Sequence, residues 1–168
     1  MMNYDQIRQQ IRSGDILAWT HKGWKSFYDA QVQLVRMATR SEYSHIGIAW
    51  VVAGRVFVIE AVVPQVRIYP LSKEVPFYWI PCGKNYWNDE VEEYTLNKVG
   101  DEYSKLQAIM AFFNKIRTAE DNMWQCSELV NKVLIVGQLL KTDEALSTPT
   151  AIVEKLLEKG YTLQLVTK

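Results

Sequence analysis

Two side chains in this sequence have the chemistry of a nucleophilic thiol and its base. They are Cys126, which lies within the stretch of residues 124–130, and His45, which lies within the stretch of residues 43–48. A cysteine attacks as its thiolate, so it needs a neighbouring base that takes its proton. The base needs a third group that fixes its tautomer, and Glu60 can supply one. The chain has only two histidines and two cysteines, so few other pairings exist.

A predicted β-hairpin places two of these side chains on one face. Residues 43–52 and 55–63 are rich in β-formers and meet at Ala53-Gly54, a hairpin signal. Across a two-residue turn, the numbers of opposed residues sum to 107, so Gly47 faces Glu60. His45 and Glu60 are then diagonal neighbours on one face. The alternative interpretation is a solvated glutamate and a histidine with a structural role in the sheet.

Cys126 is predicted to lie near the start of a helix that Asp121-Asn122 caps. Backbone N–H groups and the dipole at a helix start favour an anion, and they can stabilise the oxyanion that forms on an attacked carbonyl. Cys126 also lies on an apolar stripe with Leu129, Val130 and Val133. The alternative is therefore a buried, inert cysteine.

Apolar periodicity and turn residues predict the other elements. Strands are expected at 16–19, 66–69, 77–80 and 161–166. Helices are expected at 3–12, 25–39, 89–99 with Asn88 as cap, 103–116, and from Thr148-Pro149 to Gly160. A meander of strands followed by helices favours one α+β domain over residues 1–168.

Composition excludes several classes of protein. The 19 basic and 19 acidic side chains give no basic excess for nucleic acid. The polar N-terminus lacks a signal peptide and no apolar run spans a bilayer, so we expect a cytoplasmic protein without an integral membrane segment. His21 and Cys82 lie in loop-like surroundings, and no cysteine pair has zinc-site spacing. We expect neither a metal nor a cofactor.

Several segments of the sequence resemble the motifs of a known protein family. The order of motifs is similar to that of the circularly permuted branch of the papain-like NlpC/P60 cysteine hydrolases. This branch includes YiiX/YebB-like proteins and, more distantly, lecithin–retinol acyltransferase. The matching segments run from about residue 13 to 150: Ser13-Gly14-Asp15-Ile16-Leu17, Ser44-His45-Ile46-Gly47-Ile48, Glu60-Ala61, Gly100-Asp101-Glu102-Tyr103, Cys126-Ser127-Glu128-Leu129-Val130 and Thr148-Pro149.

The resemblance implies a permuted papain-like fold, with an antiparallel sheet packed against helices. It implies Cys126 as nucleophile, His45 as base and Glu60 as orienting group. It also suggests that Tyr103, Tyr43 and Ser44 bind substrate. Many relatives cut amide bonds in peptidoglycan-type peptides, but without an export signal a cell-wall substrate is not expected.

The sequence therefore predicts a cysteine peptidase or amidase with a Cys-His-Glu triad. Its substrate would be a small peptide, an amino-acid-containing compound or an acyl compound. One alternative is a thiol-dependent acyltransferase, or a hydrolase of lipid amides or esters. The other alternative is a binding module that keeps the fold without catalysis.

Overall fold

The strands within the described residues form one mixed sheet of seven. The structure is a computed structural model that describes residues 1–20, 42–62, 64–101, 118–144 and 146–168. The strands are β1 (Met2–Asn3), β2 (Ile16–Trp19), β3 (His45–Val52), β4 (Arg55–Val62), β5 (Gln65–Pro70), β6 (Phe77–Ile80) and β7 (Gln164–Thr167). They lie in the order β1-β7-β6-β2-β3-β4-β5. Only the β1–β7 pair is parallel among these strands.

The central hairpin has the predicted register. Ile48 pairs with Ile59 and Val52 pairs with Arg55, so the numbers of opposed residues sum to 107. Ala53 and Gly54 both have positive φ, 49° and 72°. That is the backbone of a type I′ turn, which matches the twist of a two-residue hairpin. The turn therefore fixes which residues of β3 and β4 share a face.

The described helices are α1 (Tyr4–Ile7), α2 (Asp89–Leu96), α3 (Thr118–Val136) and α4 (Pro149–Glu158). Asn88 caps α2 by accepting a hydrogen bond from the backbone N–H of Val91, and Thr148 caps α4 in the same way through Ala151. None of the helices in the described ranges is long and apolar enough to cross a bilayer. The predicted helices 25–39 and 103–116 lie outside the described residues.

The first predicted helix is much shorter than expected. Residues 3–12 were expected to be helical, but α1 is a single turn. Asn3 accepts a hydrogen bond from the Asp5 N–H as the helix cap, while its backbone belongs to β1 and pairs with β7. The edge pairing of β1 fixes where the helix begins, and propensity alone does not show that pairing.

The two faces of the sheet carry different cores. One face packs against α3 and α4 through the branched side chains of alternate positions, among them Ile46, Ile48 and Ile59. The opposite face packs around Leu17, Trp19, Ala49, Val58 and Phe77 and is covered by α1. The chain is thus an α+β protein whose sheet is buried on both faces.

Candidate active site

His45 and Glu60 form a short hydrogen bond at one end of the sheet. The Nε2 atom of His45 lies 2.6 Å from Oε2 of Glu60. The two residues are diagonal neighbours on β3 and β4, as the hairpin register predicted. The side chains are 15% and 1% exposed, so the bond is largely shielded from water. The sequence-based expectation of a bond between these two side chains is confirmed.

A side chain at Gly47 would collide with its neighbours on β4. A Cβ atom at Gly47 would lie 2.7 Å from Cγ2 of Val58 and 3.4 Å from Cβ of Glu60. The first distance is shorter than real side chains tolerate. The glycine of the His-Ile-Gly stretch is therefore needed for close packing beside Glu60.

Arg67 holds the other oxygen of Glu60. Its Nε donates to Oε1 of Glu60 at 2.8 Å, and its Nη2 lies 2.6 Å from the same atom. Arg67 faces Glu60 directly across the β4–β5 pair. One buried carboxylate thus binds an imidazole with one oxygen and a guanidinium with the other. Sequence reasoning missed Arg67.

The thiol of Cys126 completes the group through a hydrogen bond with the His45 side chain. Cys126 packs with the core on the α3 face, whereas His45 and Glu60 alternate onto the opposite face with Ala49 and Val58. The two side chains can meet because His45 is the first residue of β3. Beyond the end of β3 the strand no longer lies between the two faces of the sheet, so a side chain at that end can contact a residue on the other face.

Nδ1 is the ring nitrogen of His45 that remains for the thiol, since Nε2 binds Glu60. The expected contact between His45 and Cys126 is therefore present. The ring of Trp19 packs beside the imidazole with centroids 5.3 Å apart, which further limits its motion. Cys126, His45 and Glu60 thus follow one another in the order thiol, base and orienting carboxylate.

The position of Cys126 in its helix differs from the prediction. Helix α3 runs from Thr118 to Val136, so Asp121-Asn122 lies within the helix and does not cap it. Cys126 then sits two turns inside the helix, where backbone N–H groups bond to carbonyls of the preceding turn. We predicted that the backbone N–H groups at a helix start would stabilise the Cys126 thiolate and an oxyanion, and this prediction is wrong for the structure. Within the described residues, the charged group that contacts the Cys126 side chain is the His45 ring.

Electrostatics at the site favour a charged imidazole. Burial opposes the charge, but the hydrogen bonds with Cys126 and Glu60 dominate and raise the pKa of His45 to about 10. For Glu60, burial alone would raise the carboxyl pKa. The hydrogen bond with His45 and the charges of His45 and Arg67 overcome burial and lower that pKa below its ordinary value. At neutral pH the pair is an imidazolium and a carboxylate.

Both cysteines are buried, but their surroundings differ. Cys82 and Cys126 are each 1% exposed, and neither is part of a disulfide. The Sγ atom of Cys82 lies 3.6 Å from the carbonyl oxygen of Gly14. Burial and the nearby Asp15 carboxylate raise the pKa of Cys82. The chain therefore contains one thiol beside a cationic ring and one beside an anion.

Of the three residues expected to bind substrate, the structure describes Tyr43 and Ser44. Tyr103 lies outside the described residues. Tyr43 is buried, packs edge-on against Tyr78, and has a pKa that burial raises to about 12. The hydroxyl of Ser44 donates to the carbonyl of Trp19 at 3.2 Å. The described positions of Tyr43 and Ser44 fit structural roles at the start of β3.

The Gly-Asp segment before β2 is also structural. The Asp15 carboxylate accepts hydrogen bonds from the backbone N–H of Arg12 and Gly83 and from the indole N–H of Trp79, at 2.8–3.0 Å. Gly14 has a φ of 86°, which favours glycine. These bonds join the loop before β2 to the segment after β6 and thereby hold the middle of the sheet.

Comparison with solved structures shows a likeness of fold to a known protein. No family model matches the sequence, and no curated protein matches it. The crystal structure of the metalloprotein YiiX from Escherichia coli O157:H7, a DUF1105 protein, superposes with a TM-score of 0.52 at 20% sequence identity. The match covers 86% of this chain and 80% of that one. The chain therefore shares the fold of this YiiX protein over most of its length.

Proposed function

We propose that the chain is a cysteine hydrolase that cleaves an amide bond in a small peptide or amino-acid-containing compound. The observation that carries the proposal is the line of side chains from Cys126 through His45 to the buried Glu60 carboxylate. A thiol on one ring nitrogen and a carboxylate on the other is the arrangement that nucleophilic catalysis by cysteine requires.

The chemistry would run in two stages. His45 holds the proton that Cys126 loses, and the thiolate sulfur attacks the carbonyl carbon of the amide. The imidazolium returns that proton to the leaving nitrogen as the carbon–nitrogen bond breaks, which leaves a thioester on Cys126. Water, deprotonated by His45, then attacks the thioester, and the released acid and the free thiol restore the site.

The fold agrees with a permuted papain-like arrangement, which forms the structural part of the proposal. In this chain the strand with His45 precedes the helix with Cys126, and the helix packs on the sheet. The likeness to YiiX supports the same assignment through its fold. The proposal extends the resemblance to the NlpC/P60 hydrolases from motif order to topology.

The side chains of this site do not fit a bound metal. The YiiX neighbour is described as a metalloprotein. Within the described parts of this chain, no group of three His, Cys, Asp or Glu side chains could hold a metal ion. His45 and Cys126 give two donors, and both oxygens of Glu60 are engaged by His45 and Arg67. We therefore derive no catalytic step from a metal.

Alkylation with iodoacetamide tests the proposal, because the chain contains its own control. Cys126 and Cys82 are equally buried, so different rates report the charge around each thiol. The modified peptides are quantified by mass spectrometry between about pH 5 and pH 9. We expect Cys126 to react faster than Cys82 below about pH 7, and His45→Ala to remove the difference. Equal rates in the wild-type protein would contradict a catalytic thiol.

Turnover is tested with two series of chromogenic compounds. Aminoacyl and dipeptidyl p-nitroanilides report amide cleavage, and p-nitrophenyl acyl esters report acyl transfer to water. We expect release of p-nitroaniline that Cys126→Ala abolishes. Ester cleavage without amide cleavage, accelerated by added alcohols or amines, would favour the acyltransferase alternative.

One observation favours a second candidate, a binding module without catalysis. Cys126 is only 1% exposed, so a substrate must displace the groups that cover the thiol. In a silent site the thiol would remain covered, and Cys126 would alkylate as slowly as Cys82. The rate comparison therefore separates the two candidates.

A further inference from the structure

We propose that Arg67 is a positioning residue of this site. Its guanidinium keeps the Glu60 carboxylate ionised and turned toward His45. The imidazole then keeps a proton on Nε2 and presents Nδ1 to Cys126. The proposal rests on the proposed function, to which it adds a fourth member.

The contacts leave Glu60 no freedom to turn. Arg67 reaches Oε1 with both Nε and Nη2, at 2.8 and 2.6 Å, while His45 binds Oε2 at 2.6 Å. A guanidinium has only donors and never gives up its proton in this pH range, so the oxygen it binds stays an acceptor. The oxygen that remains faces the imidazole.

Arg67 also controls where the proton between Glu60 and His45 lies. A carboxyl group this deeply buried favours its neutral form, and it could then take the Nε2 proton from the imidazolium. That transfer would leave a neutral ring with its proton on Nδ1, the nitrogen that must accept from the thiol. A fixed positive charge on the other oxygen opposes the transfer, because it stabilises the carboxylate.

Arg67 is itself held in place. Its Nη2 lies 3.6 Å from Oε1 of Glu74, and its guanidinium stacks over the ring of Tyr69 at 4.5 Å from the centroid. Among the residues that the structure describes, the charged groups around Glu60 are His45 on β3, Arg67 on β5, Glu74 after β5, and the Cys126 thiol on α3 when it ionises. Their signs alternate along the line from Cys126 to Glu74.

The pH dependence of Cys126 alkylation tests this role. In wild-type protein Glu60 stays ionised to low pH. The acid limb of the profile, where the alkylation rate of Cys126 falls as the pH is lowered, therefore lies at low pH. In Arg67→Met, Glu60 gains a proton at higher pH, and we expect the acid limb to rise by at least about one pH unit. Arg67→Lys keeps the charge but loses the two-pronged contact, and we expect a smaller rise. Arg55→Met, an exposed arginine at the start of β4, is the matched control and should not move the profile.

A second readout works without the thiol and separates this proposal from the proposed function. In a Cys126→Ala background, nitrogen NMR of the His45 ring reports which nitrogen carries the proton, and the carboxyl carbon of Glu60 reports its ionisation. We expect Arg67→Met to raise the midpoint of the Glu60 titration and to shift the ring proton from Nε2 toward Nδ1. If Arg67→Met does not fold, Arg67→Lys gives the same readouts in the same direction.

The outcomes are distinct. An unmoved acid limb and an unchanged Glu60 titration in Arg67→Met, or in Arg67→Lys if only that variant folds, would overturn the role of Arg67. Slow alkylation of Cys126 in wild-type protein, together with the expected NMR changes, would overturn the hydrolase and leave the control of Glu60 by Arg67 standing.

Discussion

Replacing Glu60 by glutamine tests the geometry of the site more sharply than removing the side chain. Glutamine has nearly the same shape, but one of its two terminal atoms is a donor. Arg67 can only donate, so it will bind the amide oxygen and turn the NH₂ group toward Nε2 of His45. That nitrogen must then accept a hydrogen bond. In its neutral form the ring must then carry its proton on Nδ1, which is unable to take a proton from Cys126.

The size of the effect follows from the state of His45. Its pKa is raised from the ordinary 6.5 to about 10, and that difference corresponds to ~5 kcal/mol in favour of the charged ring. A hydrogen bond to a charged group contributes ~1.5–3 kcal/mol. Losing the Glu60 share should therefore lower the His45 titration by about one to two pH units. Removing one partner of a buried ion pair should also reduce the free energy of unfolding by about 3 kcal/mol.

The assay is nitrogen NMR of the ring across pH, with only two histidines to assign. We expect the neutral ring of Glu60→Gln to carry its proton on Nδ1, and alkylation of Cys126 at about pH 6 to fall by tenfold or more. The variant should still alkylate faster than His45→Ala at higher pH, because the imidazole is retained. A ring that keeps its Nε2 proton in Glu60→Gln would refute the argument that Arg67 orients the side chain at position 60.

Three further predictions concern stability, each measured by urea unfolding. Because the folded pKa of His45 is raised, its contribution is fully present below about pH 6.5 and is lost as the pH rises through about 10. His45→Gln should remove the part of the pH-dependent fall in unfolding free energy that is due to His45. An unchanged slope of unfolding free energy against pH would contradict the pairing of His45 with Glu60 and Cys126. Gly47→Ala should cost ~1–3 kcal/mol through the clash with Val58, and Val58→Ala in the same chain should restore part of the loss rather than add to it. Asp15→Asn should cost ~1–3 kcal/mol, because its NH₂ group must face one of three donors; a neutral effect would show that those donors find other partners.

The sequence predicted the half of the site that depends on local geometry. A two-residue turn at Ala53-Gly54 fixes the parity of β3 and β4, and that parity places His45 and Glu60 together. Side-chain alternation in a hairpin is independent of the rest of the fold. The bounds of β2 and β6 and the caps at Asn88 and Thr148 were also predictable, because they too depend on the local sequence.

The other half depends on contacts that no local pattern shows. Asp121-Asn122 has the composition of a helix cap, but capping residues are also tolerated inside a helix whose apolar face packs on a sheet. Arg67 opposes Glu60 only if β5 returns directly alongside β4, with opposed residues whose numbers sum to 127. Pro64, which lies between the two strands, is a residue type that favours a turn at that place. Glu74 joins the group from beyond β5, where strand parity gives no information.

The two thiols of this chain separate the effect of burial from that of charge. Each is almost fully buried, and burial alone would leave both unreactive. Cys82 lies against a carbonyl oxygen and near the Asp15 carboxylate, so its surroundings oppose a thiolate further. Cys126 lies against an imidazole that Glu60 keeps charged, and Arg67 keeps Glu60 ionised in turn. A structural core rarely needs such a line, since apolar side chains of similar volume are often as stable as buried ion pairs. Ion pairs arranged beneath a single thiol are explained more simply by the chemistry of that thiol. For this reason we favour the hydrolase over the binding module.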